Sequence, residues 1–282
     1  MAVAVVTDST AYLPAELIDA HKLTVVPLTV IIDGVEGMEG IEVRPAEVAR
    51  ALGDRTIRIS TSRPAPERFA QVYQQLLDRG ATGVASVHLS ARLSGTVESA
   101  ALAATRFGDR VTVVDARSTA MGLGFPVLAA AAAAERGEDL SGVRESTLAA
   151  IGRTGAFFYV DTLEFLRRGG RVTAASALLG TALSVKPIMH IDDGAIALRE
   201  KVRTAGRGLA RLIDLAVEAA GSSDVDVAVH HLAAVERAQA LMDALSDRLG
   251  SRLRDRYLTE IGAVVGAHVG PGLVGVVVHR RP

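Results

Sequence analysis

The chain has 282 residues, 49% hydrophobic and 22% charged, with 27 glycines, 9 prolines and no cysteine. This is the composition of a folded globular protein with one large domain or two ordinary ones, not of a disordered chain. A formal net charge of −1 excludes the electrostatic footprint of a nucleic-acid binder, and the missing cysteines exclude disulfides, thiolate nucleophiles and cysteine-held iron–sulfur or zinc centres.

Met1 to Val6 enters a strand pattern directly, without a basic region or cleavage site, so no signal peptide is expected. The most apolar helical stretch, Val127 to Ala134, is mostly alanine and far short of the ~20 residues that span a bilayer. A soluble, cytoplasmic protein is the expectation. Leu13-Pro14 opens a helix over Ala15 to Ala20. Leu23 to Ile32 reads as a strand in which Pro27 demands an edge or a break, and Asp33-Gly34 signals a turn. Pro45 and Pro66 occupy the first turns of helices over Ala46 to Leu52 and Glu67 to Asp78. Gly83 to Leu89 and Val111 to Asp115 are continuous apolar strands of the parallel-sheet type, each followed by a helix, Val97 to Phe107 and Pro126 to Ala134. Strand–helix alternation to about residue 137 predicts right-handed βαβ units and a parallel sheet covered on both faces.

The second half has a different rhythm. Ala156 to Val160 reads as a strand and Leu163 to Arg168 as a helix stopped by Gly169-Gly170. Pro187 to Ile191 and Ala195 to Val202 flank a short Asp-Gly hairpin loop. Two long amphipathic helices follow, Gly208 to Ala220 and Ala233 to Leu249, around the strand Val225 to His230, and Gly272 to His279 closes the chain as a strand. The predicted fold is therefore α/β in two domains. Residues 1–150 form a three-layer α/β/α domain with a parallel sheet, and 151–282 a smaller domain with a mixed sheet.

Four clusters carry candidate chemistry. Ser60-Thr61-Ser62-Arg63-Pro64 and Ser90-Ala91-Arg92-Leu93-Ser94-Gly95-Thr96 each follow a strand and precede a helix. Their hydroxyls suit helix capping, and equally an anion site at a helix start, where free N–H groups meet the positive dipole end. Two such clusters at strand carboxyl ends line the crevice where open parallel sheets bind ligands. Arg167-Arg168-Gly169-Gly170-Arg171 is a basic helix end, and His268-Val269-Gly270-Pro271-Gly272 reads as a tight turn into the last strand, with His268 exposed in the plainest view. His230-His231 reads as structural. No phosphate-binding Gly-x-x-x-x-Gly-Lys loop, Gly-x-Ser-x-Gly elbow, His-Glu-x-x-His pair or metal-spaced acidic cluster is present, and no Gly-x-Gly-x-x-Gly follows Val6, where a dinucleotide fingerprint should lie, so a binding protein fits better than an enzyme.

Taken in order, Thr7-Asp8-Ser9 with Leu13-Pro14, Val26-Pro27-Leu28, Thr61-Ser62-x-Pro64, Leu93-Ser94-Gly95-Thr96, Gly169-Gly170-Arg171, Lys186-Pro187, Lys201-Val202-Arg203 and His268-x-Gly270-Pro271-Gly272 resemble the DegV family of bacterial fatty-acid-binding proteins over essentially the whole chain. The resemblance implies a long-chain fatty acid held between two domains. It also implies service as the acyl-carrier subunit of a fatty-acid kinase feeding phospholipid synthesis, whose separate ATP-binding subunit phosphorylates the carboxylate. No metal and no cofactor beyond the bound acid are implied. Carried across by motif, Thr61 or Ser62 with Ser94, Gly95 and Thr96 would hold the carboxylate, and Arg171 and His268 would lie near the head group or face the kinase. Arg63 and Ala65 depart from the family's usual Gln and Ser. The alternatives are a dihydroxyacetone-kinase-like substrate subunit using His230, His231 or His268, a serine hydrolase using Ser94, and a structural or regulatory domain with an empty cleft.

Overall fold

The computed structural model describes residues 2–54, 56–172 and 186–282. The chain opens with strand β1 (Ala4–Asp8), helix α1 (Ala15–Ala20) behind Pro14, and strand β2 (Thr24–Val26). Pro27 has no N–H to give a ladder, and of the edge or break expected within Leu23 to Ile32 the chain takes the break, with β3 (Thr29–Ile32) in a different sheet. Asp33 and Gly34, at φ 49° and 85°, then turn the chain into β4 (Val35–Met38). Helices α2 (Pro45–Ala51) and α3 (Pro66–Asp78) begin on the prolines the sequence assigns to their first turns, with β5 (Ile59–Ser62) between them.

The alternation continues through β6 (Val84–His88), α4 (Thr96–Ala104), β7 (Val111–Asp115), α5 (Met121–Glu135) and α6 (Leu140–Gly152). Helix α5 begins at Met121, ahead of the start expected at Pro126, and carries that proline inside. Burial of almost its whole surface outweighs the local preference. The remaining elements are β8 (Thr154–Tyr159), α7 (Glu164–Arg168), β9 (Lys186–Asp192), β10 (Ala195–Val202), α8 (Ala205–Ala220), β11 (Val225–His231), α9 (Val235–Leu249), β12 (Leu253–Glu260), α10 (Ala263–Val269) and β13 (Val274–Arg280). The β9–β10 hairpin closes between Asp192 and Ala195 through Asp193 and Gly194, at φ 44° and 80°, as a two-residue primed turn requires.

The chain divides into two units, and a single cut at residue 150 does not describe them. The first unit comprises Met1–Thr29 and Ser62–Arg153, the second Val30–Thr61 and Thr154–Pro282. Residues 30–61 group with the later part of the chain because β4, β3 and β5 form a sheet of their own and α2 packs on α10.

The first unit is built on a parallel sheet of order β2-β1-β6-β7, with Val6 opposite Thr24 on one side and Ser86 on the other. Helices α3 and α4 pack together over the face carrying Val6, Val84 and Val111, where Phe69, Tyr73 and Phe107 fill the core. Helices α5 and α6 pack together against β1, β6 and β7, completing three layers. From β1 the chain steps to β2 on one side and later to β6 on the other, so the carboxyl ends of β1 and β6 form a topological switch point.

The second unit holds a mixed sheet of order β10-β9-β8-β13-β11-β12, antiparallel except for the β11–β12 pair. Tyr159, Ile188, Val227 and Val276 project from one face into α8 and α9, whose Leu212, Leu215, Leu241 and Leu245 complete the core. Helix α10 packs against α2 and α7. Among the described residues no helix is long and apolar enough to cross a membrane, and no group of His, Cys, Asp or Glu is arranged to hold a metal ion.

Candidate functional site

A cavity of about 560 Å³ lies in the second unit, and Thr61, Phe165, Gly169, Arg171 and His268 line it together with Arg58 and Arg168. Such a volume falls within the range of small-molecule sites. His268 belongs to the last turn of α10, not to the loop the sequence suggested, and it is half-buried instead of exposed. The position of α10 is fixed from its start, where the Val264 N–H donates to Glu39 Oε1 at 2.7 Å. At the other end, Thr61 Oγ1 and His268 Nε2 share a hydrogen bond of 2.8 Å, so two motifs 207 residues apart meet at one point.

Burial pushes the His268 pKa down to about 4, and the positive charge of Arg171 acts in the same direction. The imidazole is therefore neutral at pH 7, able to hydrogen-bond without adding charge. Arg171 donates from Nη1 to the Gly169 carbonyl, and burial lowers its pKa. A guanidinium stays protonated in a protein, so a half-buried Arg171 gains from an anion arriving beside it.

Two glycines make room for this arrangement. A Cβ on Gly169 would collide with His268 Nδ1, and one on Gly270 would run into the Phe165 ring. Gly270 also sits at φ 77°, where an L side chain is strained. The Gly-Gly-Arg and His-x-Gly-Pro-Gly motifs are thus parts of one packed corner.

The other candidates lie in the first unit. Ser94 and Thr96 share a hydrogen bond of 2.9 Å between their hydroxyls, with Thr96 buried and Ser94 half-buried. Gly95, which has no side chain, is the N-cap of α4, so neither Ser94 nor Thr96 occupies the capping position. Ser62 is exposed, with its hydroxyl 3.3 Å from the Arg63 carbonyl oxygen that accepts from it. Arg63, the residue that departs from the family pattern, lies across Gly95: Nη1 donates to the Gly95 carbonyl at 3.3 Å and to Glu98 Oε2 at 2.8 Å. His230 is buried with Nδ1 against Thr259 Oγ1 at 2.8 Å, the structural part the sequence assigned it.

The structure therefore gathers Thr61, Arg171 and His268 around one cavity and joins Ser94, Gly95 and Thr96 in one turn. Arg168, part of the basic helix end singled out in the sequence, also lines the cavity, whereas Phe165, Arg58 and the Arg63 clasp are not foreshadowed there. None of the latter had a signal in spacing, because each depends on chain segments brought together by tertiary packing.

A parallel-sheet α/β unit and a mixed-sheet unit in one chain, with hydroxyl turns at strand ends and a half-buried arginine beside a neutral histidine, place the protein in the two-domain α/β class. Residues 2–281 match the family described as "Uncharacterised protein, DegV family", and the chain belongs to it. A DegV domain-containing protein of Streptomyces coelicolor is 51% identical over 282 residues, covering 99% of both chains. Among solved structures, a DegV family protein of Thermus thermophilus described for its fatty-acid binding superimposes with a TM-score of 0.94 at 33% identity over 100% of both chains. DegV of Bacillus subtilis, described as a fatty acid binding protein, gives 0.89 at 32% identity, again over 100% of both.

Proposed function

We propose that this protein binds one long-chain fatty acid and presents its carboxylate to a separate ATP-dependent kinase subunit. The observation that carries the reading is the convergence of Thr61, neutral His268 and half-buried Arg171 on one cavity, in a chain whose solved relatives from Thermus and Bacillus are described as fatty-acid binders. By motif correspondence, Ser62, Ser94, Gly95 and Thr96 are further donors to the carboxylate, while Arg171 and His268 attend the head group or the kinase.

The energetics divide the work. An ionised carboxylate is costly to bury alone, and each hydrogen bond to it returns only about 1.5–3 kcal/mol. Donors and a cation therefore mainly offset desolvation and set orientation. The acyl tail supplies affinity: about fourteen methylenes at ~0.8 kcal/mol each give roughly 11 kcal/mol before association costs. In the kinase step, a carboxylate oxygen bonds to the γ-phosphorus of ATP as the bond from that phosphorus to the ADP oxygen breaks. This protein contributes position and charge, and the chemistry belongs to the partner.

Two measurements test the proposal. Organic extraction of the purified protein should release a long-chain fatty acid, and calorimetric titration should show it rebinding to the stripped protein; an empty extract with no heat of binding overturns the reading. Ser94→Ala should lower acyl-phosphate formation with the ATP-binding partner by about tenfold, one lost charge-assisted bond, while total lipid uptake changes less. Undiminished phosphorylation removes Ser94 from the head-group site.

A further inference from the structure

The first unit contains a polar network that the proposed function leaves unused. Asp8, at the end of β1, is fully buried, and its carboxylate accepts from Thr10 N at 3.0 Å, Thr10 Oγ1 at 2.6 Å and Leu89 N at 3.0 Å, with His88 Nδ1 also at 3.0 Å. Behind it, His88 Nε2 meets Ser86 Oγ at 2.6 Å, and Tyr73 OH donates to Ser86 Oγ at 2.8 Å. With Tyr73 donating, Ser86 passes its proton toward His88 Nε2, leaving Nδ1–H for Asp8. One proton arrangement thus satisfies the whole chain. The order Asp8–His88–Ser86 is that of a hydrolytic triad, but Ser86 and His88 have no solvent exposure, so no acyl group reaches the hydroxyl. The network is a tether.

What it tethers is specific. Leu89 N is held by Asp8; Ser90 N donates to the Ser118 carbonyl at 2.9 Å; Ala91 N donates to Asp115 Oδ2 at 3.3 Å. Three successive amides leaving β6 are therefore fixed from both neighbouring strand ends. Asp115 also accepts from Arg117 N at 2.7 Å, and Ala120 N donates to the Thr10 carbonyl at 2.8 Å, so the turns after β1, β6 and β7 brace one another. The Ser90 carbonyl then accepts from Leu93 N at 2.9 Å and Ser94 N at 3.1 Å, carrying the constraint to Ser94.

We propose that Asp8 and Asp115 are positioning residues that aim the Ser94-Gly95-Thr96 turn at its ligand, an inference that rests on the fatty-acid reading for what the turn binds. Replacing either carboxylate by an amide puts an N–H₂ where a backbone amide also donates, breaking the brace at one side.

The test compares Asp8→Asn and Asp115→Asn with Tyr73→Phe, which removes a donor at the far end of the same network. Hydrogen exchange of peptides over residues 89–96 is measured on the stripped protein, and affinity for a long-chain fatty acid by calorimetry. Both Asn variants should exchange faster over 89–96 and bind about tenfold more weakly, whereas Tyr73→Phe should lower thermal stability and leave both readouts in place. If Asp8→Asn fails to fold, Asp115→Asn carries the test alone, because Asp115 is half-exposed and outside the core. Wild-type exchange over 89–96 and wild-type affinity in a folded Asp115→Asn variant overturn the proposal. A wild-type protein that takes up no fatty acid overturns the lipid reading instead, and unchanged exchange in both Asn variants then overturns the tether.

Discussion

The two units build their candidate polar sites by opposite means. In the first, the Ser94-Gly95-Thr96 turn is held by backbone amides donating to carboxylates and carbonyls of adjoining strand ends. In the second, Thr61, Arg171 and His268 come together where glycines leave space, and the cost is a cation and an imidazole held in a partly dry corner. A hydrogen-bonded turn tolerates a change of side-chain volume but not the loss of an acceptor. A corner made of missing side chains behaves the other way round. Substitutions at Gly270, Gly95, His230 and Arg63 separate these two behaviours.

The most damaging change should be Gly270→Ala. The new Cβ meets the Phe165 ring on a backbone at φ 77°, so strain and overpacking act together. A combined loss of about 3 kcal/mol or more in unfolding free energy is expected, read by denaturant titration. Ala in place of Gly95 provides the contrast. There the obstructing group is the Arg63 side chain, which is half-exposed and free to swing away, so the loss should be well below that of Gly270→Ala. Equal losses at the two positions would erase the distinction between the units.

Acid should act next, and on the second unit. Burial pushes His230 down to about 4, opposed by a hydrogen bond to the Thr259 backbone and helped by the neighbouring His231; His268 also lies at about 4. In the unfolded chain both titrate near ~6.5, so between those values the unfolded state binds more protons. Stability is whole above pH ~6.5 and declines as pH falls toward 4, by about 3 kcal/mol for the enclosed His230. His230→Gln keeps an amide near Thr259 and should flatten that slope, measured as melting temperature against pH. A variant with the wild-type slope would remove His230 as its source.

Particular residues explain how much of this was readable beforehand. Pro27, Pro45, Pro66 and the Asp-Gly turns act through local dihedral limits, and the elements they delimit stand where the sequence placed them, within a few residues. β12 leaves no strand signal in the sequence because Leu253-Arg254-Asp255-Arg256-Tyr257 is an edge strand, polar and mostly exposed, without the apolar run of a central one. The sequence shows only the turn at His268 to Gly272, because Val264, Val265 and Gly266 are poor helix formers; the contacts of α10 with α2 and α7 make the helix ahead of it. Residues 30–61 follow the first strands in sequence, and proximity in sequence carries no information about α2 packing on α10 about 200 residues later. The site shows the same division. Motif order pointed to Thr61, Arg171 and His268, but only packing could bring the first against the last.

The smallest expected effect concerns the departure at Arg63. Its guanidinium bridges Glu98 and the Gly95 carbonyl, and so ties the Thr-Ser-x-Pro segment to the Leu-Ser-Gly-Thr turn, which invites a large role. Exposure argues for a small one: the two side chains are 51% and 69% exposed, and a solvated pair of this kind contributes about 0.2–1 kcal/mol. The amides from Leu89 to Ala91 already hold the turn from its other end, so the clasp is an addition to a brace that stands without it. Arg63→Gln should therefore change stability by less than about 0.5 kcal/mol and fatty-acid affinity by less than about threefold, and the difference should shrink as salt is raised to 1 M. A tenfold loss of affinity that persists in salt would mean that the first unit's turn is held by side chains after all, and would set Arg63 beside Asp8 and Asp115 as part of its brace.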